Sequence, residues 1–133
     1  MAWYPLPMPT TLIVDDDLDM RLLVRLVIEM ANEGLQVVGE AADGLEALEV
    51  FMSLDPPKMP DVVILDNRMP NMTGLEAAAE ILERFPDQIV ILYSAFLDKD
   101  VKREAARIGI TECLTKDEID RLPARLRALT GIN

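Results

Sequence analysis

The stretch VVILDNRMPNMTGLE, residues 62–76, decides how the rest of the chain is read. Val62, Val63, Ile64 and Leu65 form an unbroken aliphatic run, which reads as a strand buried on both faces rather than one with a wet side. Asp66 ends that run, and a carboxylate at the end of a buried strand needs a partner or a task. Met69-Pro70 then turns the chain, and Asn71 to Gly74 lead it into a segment of helical period. An acid aimed from a buried strand into a turn is the feature to which the other motifs have to be fitted.

Working outward, five apolar runs alternate with five helical stretches. The runs are TLIVD (11–15), LQVVGE (35–40), DVVIL (61–65), IVILY (89–93) and ITECL (110–114). Helical periods are marked by Met20, Val24, Val27 and Ala31, with Arg21, Arg25 and Glu29 as an opposite charged row. Leu45, Leu48 and Met52 mark a second, and Leu75, Ala78, Leu82 and Phe85 a third. Leu97, Val101, Ala105 and Ile108 mark a fourth that stops at Gly109; Ile119, Leu122, Leu126 and Leu129 mark a fifth, with Pro123 in its first turns. Strict alternation with short connections predicts an α/β fold: a five-stranded parallel sheet, order 2-1-3-4-5, flanked by five helices on both faces. The more polar LQVVGE and ITECL suit its edges. One domain over 11–133 follows a flexible tail, 1–10, and DPPKMP (55–60) reads as a rigid loop.

Composition removes several function classes. Half of the 133 residues are hydrophobic and 28% charged, the balance of a globular chain. Cys113 is the sole cysteine and there is no histidine, so neither an internal disulfide nor a cysteine- or histidine-based metal site can form. A metal would have to be held by oxygen. The net charge of −11 argues against direct nucleic-acid binding, because phosphates would be repelled. No apolar stretch is long enough to span a membrane, and MAWYPLPMPT lacks a basic leader, so a cytoplasmic location is expected. Residues 1–96 hold 5 Lys/Arg and 17 Asp/Glu, whereas residues 97–133 hold 8 and 7. The C-terminal third is therefore either a docking face or an ordinary solvated surface.

In this topology the C-terminal ends of the central strands gather Asp15, Asp16 and Asp17, then Asp66, Ser94 and Lys116. Asp17 alone would cap the following helix, which leaves two acids to explain. Three clustered carboxylates repel one another unless a cation neutralises them, and an all-oxygen set suits Mg2+. A hydroxyl and an ammonium opposite the ion could hold the oxygens of a phosphoryl group. Asp66, in the centre, is then the candidate nucleophile that becomes an aspartyl phosphate.

Taken together, LIVDDD (12–17), LDNRMPNMTGLE (65–76), LYSA (92–95) and LTK (114–116) resemble the receiver domain of bacterial two-component response regulators. The resemblance implies that Asp66 accepts a phosphoryl group from a histidine kinase or phosphotransfer protein, in a phosphorelay, with Mg2+ on Asp15, Asp16, Asp66 and the backbone carbonyl of Arg68. It also implies Ser94 as a switch hydroxyl and Lys116 as its charge partner. A signalling module is implied rather than a turnover enzyme, with an output domain, a downstream protein or a second copy as further partners. Three departures stand out. Cys113 occupies a position where the family usually has an aromatic switch residue, and Asp117 follows the lysine where proline is most frequent. Arg68 and Phe96 are bulky at positions that tune dephosphorylation, which predicts slow hydrolysis. Lys-Asp and VVGEAADGLEAL (37–48) are similar to receivers that precede helix-turn-helix output domains. A chain ending at Asn133 is read either as a stand-alone receiver or as one whose output domain lies outside this sequence.

Other readings fit less well. An aspartate-nucleophile phosphatase needs an acid two residues beyond the nucleophile, where this chain has Arg68. A nucleotide or flavin binder needs a glycine- or serine-rich loop where it has DDDLD. A pseudo-receiver that binds partners without phosphorylation is the remaining alternative, and Cys113 is its support.

Overall fold

The computed structural model describes residues 8–31, 34–54 and 59–131. Five parallel strands, β1 (Thr10–Val14), β2 (Gln36–Ala41), β3 (Val62–Asp66), β4 (Ile89–Ser94) and β5 (Glu112–Thr115), lie in the order β2-β1-β3-β4-β5. The helices are α1 (Leu18–Met30), α2 (Gly44–Met52), α3 (Gly74–Arg84), α4 (Lys99–Ile108) and α5 (Leu122–Thr130). This is the α/β architecture expected from the alternation of runs. The first strand takes in Thr10, which the sequence left with the tail 1–10, because Thr10 pairs with Gln36 of β2, and the Asp61 carboxylate further ties its N–H and hydroxyl. Residues 1–7 of that tail, and 55–58 of the DPPKMP loop, lie outside the described residues.

The strand order runs from β1 to β2 on one side and to β3, β4 and β5 on the other, and crossovers of the usual right hand then divide the helices between the two faces. Leu12, Val14, Val63, Leu65, Val90 and Leu92 pack with Ala47, Phe51, Ala77, Ala78, Ile81 and Ala105 of α2, α3 and α4. Ile13, Ile64, Ile91 and Tyr93 pack with Val24 and Ile28 of α1 and Leu122 and Leu126 of α5. The parity of β3 is decisive. Asp66 follows Ile64 on the α1/α5 side, and a one-residue slip would move it to the other face.

Two helices differ from their sequence reading. In α1 the charged row is only partly at the surface: Glu29 is exposed, but Arg21 and Arg25 reach Glu40 of the edge strand β2, each with a nitrogen 3.0 Å from a carboxylate oxygen. Solvent is also met by Leu18, Leu22, Leu23, Leu26 and Met30, all exposed. The single fifth helix is two elements, a 3-10 helix over Lys116–Arg121 and then α5. Leu122 N–H bonds back only three residues, to the Ile119 carbonyl, and Pro123 in the first turn of α5 has no N–H to bond back to Ile119. Gly109 does terminate α4, at a φ of 103° that side chains rarely tolerate.

Candidate functional site

Strand register brings the acids together. Val14 pairs with Leu65, and Asp66 pairs with Tyr93, so the residues that leave β1, β3 and β4 converge at one edge. Asp15 is fully buried, Asp66 is 2% exposed, and Asp16 lies at the surface. Asp17 caps α1 as expected, accepting the Asp19 N–H at 2.9 Å. Asp15 Oδ1 accepts the Asp17 N–H at 2.9 Å, and the Asp15 carbonyl accepts from Arg21 Nη1 at 2.6 Å, which fixes the chain just above the pocket.

The turn after β3 is held equally firmly. Gly74 donates its N–H to the Asn67 carbonyl at 2.9 Å, and the Leu75 N–H reaches Asn67 Oδ1 at 3.1 Å. A Cβ on Gly74 would meet the Asn67 Cα at 2.9 Å and crowd the Asp66 carbonyl, so this position excludes any side chain. Thr73 and Glu76 form a capping box at the start of α3. The loop that carries Asp66 is thus tied at both ends, and the carboxylate is presented by rigid backbone.

Lys116 supplies the positive charge. Its Nζ stands 3.3 Å from Asp66 Oδ2 and 3.4 Å from Asp15 Oδ2, with a quarter of the side chain exposed. Burial pushes the Asp66 carboxyl up to about 6, and the charge of Asp15 pushes the same way, against the downward pull of Lys116. Burial works against the Lys116 ammonium, but the neighbouring Asp66 and Asp15 charges outweigh it and hold its pKa above the usual lysine value.

Oxygens from Asp15, Asp16 and Asp66 lie within 4.8 Å of one another. Mg2+ takes oxygens at about 2.0–2.1 Å, so two ligands on opposite sides of one ion stand about 4 Å apart, close to the spread found here. With carboxylate donors alone, the set fits a hard divalent cation.

The other predicted residues divide. Ser94 is buried at the end of β4, beside Thr115 in register, and its hydroxyl accepts the Phe96 N–H at 3.3 Å. Arg68 and Phe96 meet at the surface, the guanidinium carbon 5.9 Å from the ring centroid. Cys113 is half-buried among the apolar residues packed on the α2–α4 side, and burial raises its thiol pKa. Sequence reasoning missed Tyr93. Its hydroxyl donates to Asp15 Oδ2, and its ring lies 5.3 Å from the Lys116 ammonium. The signal was available, since a tyrosine in an otherwise aliphatic buried strand has a hydroxyl that must find a partner.

Comparison with known proteins agrees with this geometry. Residues 11–127 match the response regulator receiver domain, and the chain belongs to that family of two-component signalling modules. It is 36% identical over 105 residues to chemotaxis protein CheY of Thermotoga maritima, covering 79% of this chain and 82% of that one. It is 41% identical over 85 residues to a protein-glutamate methylesterase/protein-glutamine glutaminase of Hahella chejuensis, 64% of this chain but only 23% of the relative's length. The response regulator TrrA of Thermotoga maritima, solved in complex with Mg2+-BeF, superposes with a TM-score of 0.75 at 32% identity, over 92% of this chain and 99% of that one. A NarL-type receiver is also among the similar structures. Among the described residues, no helix is long and apolar enough to cross a membrane.

Proposed function

We propose that this chain is a phosphorylation-controlled switch, in which Asp66 accepts a phosphoryl group from a histidine kinase or phosphotransfer protein. One observation carries this reading: a buried Asp66 carboxylate held between two further acids and the Lys116 ammonium. Asp15, Asp16, Asp66 and the Arg68 backbone carbonyl would hold Mg2+, an ion that the similar structure of TrrA contains together with BeF. When bound, the ion would neutralise the like charges that meet as a phosphoryl group nears the acids. An Asp66 oxygen attacks phosphorus, the bond from phosphorus to the donor's imidazole nitrogen breaks, and its electron pair leaves with the donor. Lys116 and the Ser94 hydroxyl pair with phosphoryl oxygens. In the metal-free pocket Asp66 is ionised above about pH 6, and a bound cation would extend that range downward.

The test is labelling with Mg2+ and a small acyl phosphate. A hydroxylamine-labile adduct is expected, and Asp66→Asn removes it. Cys113, which puts no aromatic ring at the switch position, is the observation that favours a pseudo-receiver; absence of any adduct would establish that alternative.

The donor docks on α1. Leu18, Leu22 and Leu26, exposed and four residues apart, form a stripe that starts just past Asp17 at the pocket rim. Its continuity with the pocket suits a protein that must deliver a phosphoryl group to Asp66. Leu22→Glu with Leu26→Glu is expected to slow transfer from a protein donor at least tenfold more than from acyl phosphate, since each buried leucine contributes about 1.5–3 kcal/mol. Equal slowing from both donors would remove the docking assignment.

The added charge is read out by the α4, β5 and α5 surface, where a downstream protein, an output domain or a second copy would bind. Stacked Arg68 and Phe96 narrow the approach of water to the phosphoryl group, which supports slow hydrolysis. The phosphorylated form should persist for minutes, and a lifetime of seconds would count against the pair as a shield. Replacing both by alanine should shorten it.

A further inference from the structure

Tyr93 is buried in β4 directly beside Asp66 in the sheet register, and the chemistry proposed above gives it no part. We propose that Tyr93 is a positioning residue for both halves of the pocket: its hydroxyl holds Asp15 for the cation, and its ring face holds Lys116 for the phosphoryl group. This inference rests on the phosphoacceptor reading.

The geometry runs through Asp15. Its Oδ1 accepts from the Asp17 N–H at 2.9 Å, while its Oδ2 accepts from the Tyr93 hydroxyl and lies 3.4 Å from Lys116 Nζ. Each carboxylate oxygen can accept about two hydrogen bonds, so Oδ1 keeps a lone pair for a metal while Oδ2 is anchored. Tyr93 is a neutral donor, which satisfies the acid without cancelling its charge. An arginine or lysine in its place would reduce the attraction that gathers a divalent ion. Burial, then the Asp15 hydrogen bond and charge, push the Tyr93 phenol well above its ordinary pKa, and the donor proton stays in place.

The same residue reaches Lys116 by a different route. The ammonium sits 5.3 Å from the ring centroid while spanning Asp15 and Asp66 at 3.4 and 3.3 Å. The ring attracts the cation from below through its quadrupole. If the hydroxyl were absent, Asp15 Oδ2 would depend on Lys116, and the ammonium would be drawn from Asp66 toward Asp15. Tyrosine therefore separates two tasks that one lysine could not perform together.

Two substitutions separate the hydroxyl from the ring. Tyr93→Phe removes the donor and keeps the ring, and is expected to raise the Mg2+ midpoint measured by calorimetry about tenfold, the usual cost of losing a partner of a metal ligand. Tyr93→Leu removes both, and should also lower the labelling rate at saturating Mg2+. Metal-free protein gives a second readout: the Asp15 carboxyl carbon resonance should move in Tyr93→Phe before any ion is added. A wild-type Mg2+ midpoint in Tyr93→Phe, or an unmoved Asp15 resonance, overturns the proposal. Loss of the Asp66-dependent adduct in wild type would instead overturn the phosphoacceptor reading, and the metal-free resonance would still decide the role of Tyr93. Should Tyr93→Phe fail to fold, the wild-type Tyr93 ring resonance must respond to Mg2+, and a silent ring would equally reject it.

Discussion

Asp61 and Asp66 bracket the same strand, separated only by Val62, Val63, Ile64 and Leu65, and they could hardly be treated more differently. Asp61 opens the strand at the surface, where its carboxylate accepts the Thr10 N–H at 2.8 Å and its own N–H donates to Thr10 Oγ1 at 3.1 Å. Asp66 closes it under the loops, 2% exposed, against Lys116 and two other acids. Where donors and water are plentiful, a carboxylate serves as a structural clip between β1 and β3. Where they are withheld, it has the Lys116 ammonium beside one oxygen and a raised pKa, a state that suits the ion binding and phosphoryl acceptance proposed for it. The parallel sheet produces the difference, because its C-terminal edge is the end at which loops from several strands close over one point.

The comparison breaks most sharply in the labelling experiment. Asp66→Asn should abolish the adduct, whereas Asp61→Asn, at the opposite edge of the sheet, should still label; labelling that survives the first or fails in the second would reject the assignment. Next in size is Lys116→Ala. If it pairs with phosphoryl oxygens as proposed, an ammonium 3.3 Å from Asp66 should be worth about a hundredfold in labelling rate, the scale of losing one charge-stabilising donor. A change below threefold would mean that Lys116 serves only to neutralise the resting pocket.

Much of this contrast was legible before the structure. The aliphatic run and the terminal acid were enough to orient β3, and alternation with short connections gave strand order and edge strands, because these depend on local pattern and handedness rules alone. The cluster of Asp15, Asp16, Asp66 and Lys116 followed from topology. Side-chain partners were harder. The α1 charged row was read only as the face opposite the apolar one, because periodicity shows which residues share a face and not what lies across from it, and Glu40 of β2 lay there. The break between the 3-10 helix and α5 was hidden because Ile119, Leu122 and Leu126 keep helical spacing across it. Tyr93 escaped because its partner, Asp15, is 78 residues away in the chain, and only register makes them neighbours.

The smallest effect carries opposite signs at the two ends of the strand. Burial and the Asp15 charge push Asp66 up to about 6, above the carboxyl value of 3.8 it regains on unfolding. Between these values the folded chain binds more protons than the unfolded one. Stability from this group is therefore fully present below about pH 4 and is lost as pH rises through 6. Asp66→Asn should flatten that segment of the stability curve and raise metal-free stability at pH 8 by about 1–2 kcal/mol, after allowance for screening by pocket water. Saturating Mg2+ should shrink the gain, because the ion stabilises only the chain that retains the acid. Asp61→Ala should do the reverse, costing about 1 kcal/mol through lost hydrogen bonds to Thr10, with little dependence on Mg2+. Urea unfolding at pH 4, 6 and 8, with and without Mg2+, measures all of these. If both variants shift stability in the same direction at pH 8, the two carboxylates are equivalent and the pocket imposes no cost on Asp66.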